Sequence, residues 1–253
     1  MRKQRTSHQS MMAKVHFDTL GFSADHTKKP FKRIRTSRDS KIQVTYSAPV
    51  TCGIKEMKCV YALVRECISD NSRYLKPDGE EKYKVHVDLR DMARLITNRT
   101  TISERKGIFE SLVRVANMSI RVLINDTKEL RTQWLYDIAT TDNYETAHVV
   151  VSKTFIKTIK KSGIGYNLGH LMQYHGRSAL LYAFMQGYKY NVGNGKFAYQ
   201  HYIPHQPLVE AVDLDDYNSP REQIKQIKKA FSSIGLNYFF KKNEVRWEKG
   251  KVK

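Results

Sequence analysis

Residues 219–249, SPREQIKQIKKAFSSIGLNYFFKKNEVRWEK, decide how the rest of the chain is understood. Ser219 followed by Pro220 is a helix start, because serine caps the first free N–H groups and proline suits the first turn. Ile224, Ile227, Phe231 and Ile234 then recur every three or four residues, which gives one apolar stripe. Arg221, Glu222, Gln223, Lys225, Gln226, Lys228 and Lys229 fill the other faces, and Gly235 suits a left-handed cap. Beyond it, Asn237 to Lys242 and Glu244 to Glu248 alternate bulky and polar residues around Asn243, the pattern of two hairpin strands. A basic helix followed by a basic hairpin is the layout of a winged helix-turn-helix, in which the helix enters the major groove and the wing touches flanking backbone.

Working outward, the whole chain of 253 residues carries 44 Lys and Arg against 25 Asp and Glu, a formal charge of +19. An excess of that size favours polyanions, nucleic acid first among them. No apolar run approaches the length of a membrane span, and the basic N-terminus lacks the apolar core of a secretory signal, so a soluble intracellular protein is expected. The three cysteines, Cys52, Cys59 and Cys67, match no zinc spacing, and their odd count argues against a disulfide framework. Cys59 and Cys67 fall in an expected helix, as small buried hydrophobes.

Residues 1–40, ending in the cationic KKPFKRIRTSRDS at 28–40, lack periodicity and are expected to form a flexible basic arm that touches phosphates. From residue 41 the expected order is a strand at 41–47, a helix at 54–69 and a strand at 82–89. A short helix at 89–97 and a second one over about 103–118 follow, then a hairpin of 120–124 with 130–138. The helix over about 103–118 has Ile108, Leu112 and Val115 as its stripe and carries Thr101, Ser103, Arg105, Lys106 and Arg114 away from it. The same order returns in the C-terminal part. There, 170–189 is a first helix whose apolar middle is buried between the halves, 197–203 a strand and 207–214 a second helix. The expected architecture is therefore α+β, two tandem winged-helix units over 41–147 and 166–253, joined by a strand and short helix at 148–165.

Across 41–249 the chain resembles plasmid replication initiators with tandem winged helices, most closely the RepC-type initiators of IncQ-like plasmids. The resemblance lies in IQVTY, IKEMKCVYALV, LRDMARLITNRTTISERKGIFESLVRVANMSIRVLIN, VVVSKTFIKTI, RSALLYAFMQGY and SPREQIKQIKKAFSSIGLNY. It implies a protein that binds directly repeated origin sequences, helps open an adjacent AT-rich segment, and recruits a helicase and other initiation factors of the host or plasmid. Homodimer formation is left open. By position, it makes Arg221, Gln223, Gln226 and Lys229 the base readers of the second unit, with Ser219 and Lys225 beside them. Ser103, Arg105 and Lys106 become those of the first, with Arg114 on the same helix, while Lys241, Lys242 and Arg246 hold phosphates. Arg forks onto guanine and Gln onto adenine, so the residue types suit the task. Two units on one chain would read a site of about 20 base pairs without inverted symmetry.

Catalytic patterns are missing from the sequence. A phosphate-binding loop fails around Gly195-Lys196, because Tyr190 stands where its first glycine belongs and Phe197 where Ser or Thr belongs. Gly163-Ile164-Gly165 lacks the third glycine of a dinucleotide loop. A rolling-circle nickase needs two histidines flanking one apolar residue and a nucleophilic tyrosine, and neither His86-Val87-Asp88 nor His201-Tyr202-Ile203-Pro204-His205 provides the pair. That nickase and a winged-helix transcriptional regulator are the alternatives to an initiator. No cofactor, metal or enzymatic activity is expected.

Overall fold

The computed structural model describes residues 9–13, 20–24, 29–37, 41–68, 75–77, 81–125, 127–193, 196–199, 202–240 and 244–247. In chain order the N-terminal half contains β1 (Gln9–Ala13), β2 (Phe31–Thr36), β3 (Ile42–Ala48), α1 (Ile54–Ile68), β4 (Leu75–Pro77) and β5 (Lys82–Asp88). It continues with α2 (Leu89–Thr97), α3 (Ile102–Ala116), β6 (Ser119–Ile124), β7 (Lys128–Thr132), β8 (Leu135–Thr140) and β9 (Thr146–Ser152). The linking region is α4 (Lys153–Ser162), β10 (Gly163–Asn167) and α5 (Leu168–Gln173). The C-terminal half contains α6 (Gly176–Gly187), β11 (Lys189–Gly193), β12 (Lys196–Tyr199), α7 (His205–Ala211), α8 (Pro220–Ser233), β13 (Leu236–Phe239) and β14 (Glu244–Trp247).

Helix α1 is buried nearly all round, from Met57 through Val64 and again at Cys67, because β1 before it and several later elements close over it. The helix-turn-helix of the first unit packs against it. Asp88 caps α2 by accepting from Asp91 N–H, Asn98 ends it in the left-handed region (φ 58°), and Thr101 caps α3 by accepting from Glu104 N–H. Ile108, Leu112 and Val115 of α3 are fully buried, as their spacing predicts.

The wing of this unit is not the hairpin expected at 120–138. Strands β8 and β9 form it, and β9 also pairs with β5, in a sheet of order β4-β5-β9-β8. Residues 148–152 are thus the inner strand of the first unit rather than part of a bridge. Strands β6 and β7 belong to another sheet, of order β2-β3-β6-β7. The chain leaves one sheet for the other at Gln133 and Trp134. Trp134 is buried there against Phe22, Tyr46 and Phe155.

The flexible arm expected over 1–40 is also corrected. Strand β2 lies within it, paired antiparallel with β3, and β1 pairs with β10. Leu20 and Phe22 are buried in the core, and Arg33 and Arg35 reach carboxylates of the C-terminal half. Those two arginines are therefore engaged inside the protein.

In the second unit the long helix expected at 170–189 is two helices. Tyr174 and His175 are extended between them, and Gly176 opens α6 with a positive φ of 50°. Ala179 to Gly187 are all buried, so the middle of α6 does lie inside the molecule. Helix α7 ends at Ala211, and α8 starts as expected, with Ser219 accepting from Glu222 N–H and Pro220 at the first turn. Gly235 takes φ 76° at its end. Ile227, Ala230 and Phe231 fill the groove toward α6, α7 and β13, and Phe231 stacks on Tyr238 (centroids 5.3 Å apart). Fully burying a side chain of that size contributes about 1.5–3 kcal/mol. Among the described residues no helix is long and apolar enough to cross a membrane.

Candidate nucleic-acid interface

Each unit presents the second helix of its helix-turn-helix with one face free. On α8 the exposed positions are Pro220, Arg221, Lys225, Lys228, Lys229, Ser232 and Ser233. The four cations recur at i, i+4, i+7 and i+8, so they form one stripe opposite the buried Ile227 and Phe231. Pro220 at the first turn costs no hydrogen bond, because that N–H has no partner within the helix in any case.

The glutamines expected to read bases are engaged locally. Gln223 turns back and donates through Nε2 to Tyr217 O (2.8 Å) and Leu214 O (3.4 Å), which closes the turn between α7 and α8. Gln226 donates to Glu222 Oε1 at 2.8 Å, and Lys225 lies 3.5 Å from the other oxygen of the same carboxylate. That hydrogen bond from Gln226, more than the nearby ammonium, holds the Glu222 carboxyl below its ordinary pKa. Arg221 and Lys229 are exposed, as is Lys228, which the sequence-based choice of readers passed over although its spacing on the helix put it in the stripe. Ser219 is exposed but its hydroxyl serves as the cap. Arg246 lies on β14 opposite Asn237, and Lys241 and Lys242 are outside the described residues.

In the first unit, Ser103 and Lys106 are exposed on α3, one helical turn apart. Arg105 and Arg114 are not on that face. Arg105 is buried and pairs with Glu145, which also holds Arg90 at 3.1 Å. Glu145 sits at the tip of the β8–β9 wing, so this trio ties the wing to α2 and α3. The hydrogen bond from Arg105 chiefly, with smaller help from Arg90, keeps the Glu145 carboxyl below its ordinary pKa. Arg114 pairs with Glu56 at 2.7 Å and also donates to Ser111 Oγ. Burial alone would raise the Glu56 carboxyl, but hydrogen bonds from Arg114 and from Gly53 N–H outweigh it, and its pKa falls below the ordinary value.

Arginines that the sequence reasoning missed surround the α2–α3 turn. Arg94 and Arg99 are exposed there, with Arg94 3.1 Å from Asp91 in a surface pair worth about 0–1 kcal/mol. The signal was available, because Arg90 and Arg94 are four residues apart in LRDMARLIT and share one face of α2.

The remaining candidate groups are the three cysteines and a pair of histidines. All three cysteines are free and buried, and burial pushes the Cys52 thiol up to about 12 and those of Cys59 and Cys67 further still. His86 and His148 are cross-strand neighbours with rings 5.0 Å apart. Among the described residues no group of three or more His, Cys, Asp or Glu is arranged to hold a metal ion.

Two helix-turn-helix arrays, each completed by a hairpin, define this chain as a tandem winged-helix protein of α+β class. The particular likeness is to RctB. A structure of selenomethionine-labelled domains 2 and 3 of RctB superposes with a TM-score of 0.58 at 10% identity, covering 89% of this chain and 88% of that one. A second structure of the same two domains gives 0.54 at 11% identity, covering 89% and 87%. No protein-family model matches the sequence, and no curated protein matches it. At such identity the likeness is one of fold, spanning both units.

Proposed function

We propose that this protein is a replication initiator that binds duplex DNA sequence-specifically through its two winged-helix units, reading directly repeated origin sequences. The observation that carries this reading is the pair of helix-turn-helix faces on one chain. One presents Arg221, Lys225, Lys228 and Lys229, and the other presents Ser103 and Lys106 beside Arg94 and Arg99. Phosphate contacts supply affinity and register, and a few side chains on the inserted helices supply sequence discrimination. The likeness in fold to two domains of RctB, a replication initiator, supports the initiator class, while the RepC-type resemblance rests on the sequence pattern alone.

Arg221 is the foremost base reader, because it is exposed at the first turn of α8, where an inserted helix meets base edges. Lys225, Lys228, Lys229, Lys106, Arg94 and Arg99 serve the phosphates. Arg105, Arg114 and Gln223 build the interface from behind. No catalytic step is assigned to the protein. Strand opening would draw on binding energy and DNA deformation, with a helicase recruited afterwards. On this reading the protein acts in the cytoplasm, on plasmid or nucleoid DNA.

The test is replication itself. A circle carrying the gene and its neighbouring DNA, but no other origin, should be maintained in a suitable host and lost when Arg221 and Lys229 are both changed to Ala. Specific DNA binding without maintenance would make the protein a regulator of transcription instead.

A further inference from the structure

Arg33 and Arg35 share the inward face of β2 and both point across to the turn that precedes α8. Arg33 pairs with Asp213 and donates to Phe22 O at 2.7 Å. Arg35 pairs with Asp215 at 2.8 Å and donates to Glu210 O at 2.9 Å, which covers the C-terminal end of α7 with a cation. Asp213 also accepts from Ser23 Oγ and from Ala24 N–H (2.8 Å), and its backbone is in the left-handed region at φ 59°. A non-glycine residue in that region is held there by its surroundings, and here the N-terminal segment provides them.

The other end of this contact leads to α3. Helix α3 passes into β6 through Asn117 and Met118 alone, and Met118 is fully buried. Strand β6 is laddered to β3, and β3 to β2, with Arg33 opposite Tyr46 and Arg35 opposite Val44. Beyond the clasp, Gln223 fastens the turn to the first turn of α8. A continuous series of backbone ladders and ion pairs therefore connects one reading helix to the other.

We infer that this clasp sets the separation and rotation of α3 and α8, so that Arg33, Arg35, Asp213 and Asp215 make the protein selective for the spacing between two half-sites on DNA. The four act as positioning residues, and the inference rests on the DNA-reading role proposed above. Arg35 and Asp213 are almost wholly buried, so removing one partner leaves a charge that must find water or move. Either response frees the turn and, with it, the orientation of α8. The two half-sites would then be bound by units joined only through the rest of the fold.

The experiment is a binding series on duplexes whose two half-sites are moved apart or together one base pair at a time. Shifting them by about 5 base pairs, half a helical turn, should weaken wild-type binding by about tenfold or more. Arg35→Ala and Asp215→Ala should each flatten that profile to within about threefold, and the double variant should do no more than either alone. Arg33→Ala should flatten it and Arg33→Lys should restore most of it, a rescue that general destabilisation would not produce. Circular dichroism and unchanged affinity for a single half-site establish that each variant is folded. Folded variants that keep the wild-type profile overturn the inference, as does a wild type that selects the repeats but ignores their spacing. A wild type that does not distinguish repeats from scrambled DNA overturns the proposed function, and the clasp's role falls with it.

Discussion

Arg114, on α3, directs its guanidinium inward to the carboxylate of Glu56, 2.7 Å away on α1. Glu56 is almost completely buried, while Arg114 is partly exposed. The pair pins α3 to the helix around which the first unit is assembled. Arg114→Ala should therefore act on stability. A loss of about 3 kcal/mol is expected by urea unfolding, the lower end of the range for stripping a buried charge of its partner. Affinity of the folded fraction for DNA at fixed salt should change little.

The same pair predicts a pH dependence. The folded Glu56 carboxyl lies below its ordinary value of 4.5, where the unfolded chain titrates. Its contribution is fully present above the unfolded value and disappears as pH falls through the folded one. Unfolding free energy should therefore decline below about pH 4.5, and the decline should be shallower in Glu56→Gln. An identical acid limb in the variant would assign it to other carboxylates.

Arg221 and Gln223 separate two roles that the sequence had joined. Arg221→Ala should cost about 1–3 kcal/mol of DNA binding and blur preference at one base pair. Gln223→Ala should lower the melting temperature through the loosened α7–α8 turn and leave base preference intact. Binding selections on randomised sites report both. A loss of affinity spread evenly over all sequences would make Arg221 a phosphate contact.

Lys228 and Lys229 should appear in the salt dependence. Wild-type affinity should fall about 10³-fold or more between roughly 50 and 200 mM salt if six or more phosphates are neutralised. Changing either lysine to Ala should lower the slope of log K against log salt by about 1 and leave sequence preference unchanged.

The thiols give an independent check of the core. Cys52, Cys59 and Cys67 are buried with raised pKa values, so in native protein at neutral pH they should resist a thiol reagent and react only on unfolding. Rapid modification of one of them would place it at a surface.

How much of this was legible in the sequence depended on range. Ser219, Pro220, the Ile227–Phe231 stripe and Gly235 are local signals, each set by backbone geometry within a few residues, and α8 forms as they predict. The stripe of α3 was equally plain. Strand partners were not, because β6 alternates just as well beside β3 as it would in a wing. The pairing that forms leaves Trp134 buried where the chain crosses between sheets, a long-range contact that no local pattern expresses. The cationic segment at 28–41 reads as a flexible arm because its counter-charges, Asp213 and Asp215, are 180 residues away. Arg105 and Gln223 failed as exposed readers for a related reason. Helical spacing tells which residues share a face, but not whether a carboxylate or a carbonyl on another element will claim them.

The most direct measurement is an anisotropy titration of labelled duplexes cut from the DNA flanking the gene, at constant salt near physiological strength. A fragment carrying direct repeats is expected to bind about 10³-fold more tightly than scrambled duplex of the same length. Equal binding to every fragment would contradict it, leaving a cationic surface without sequence recognition.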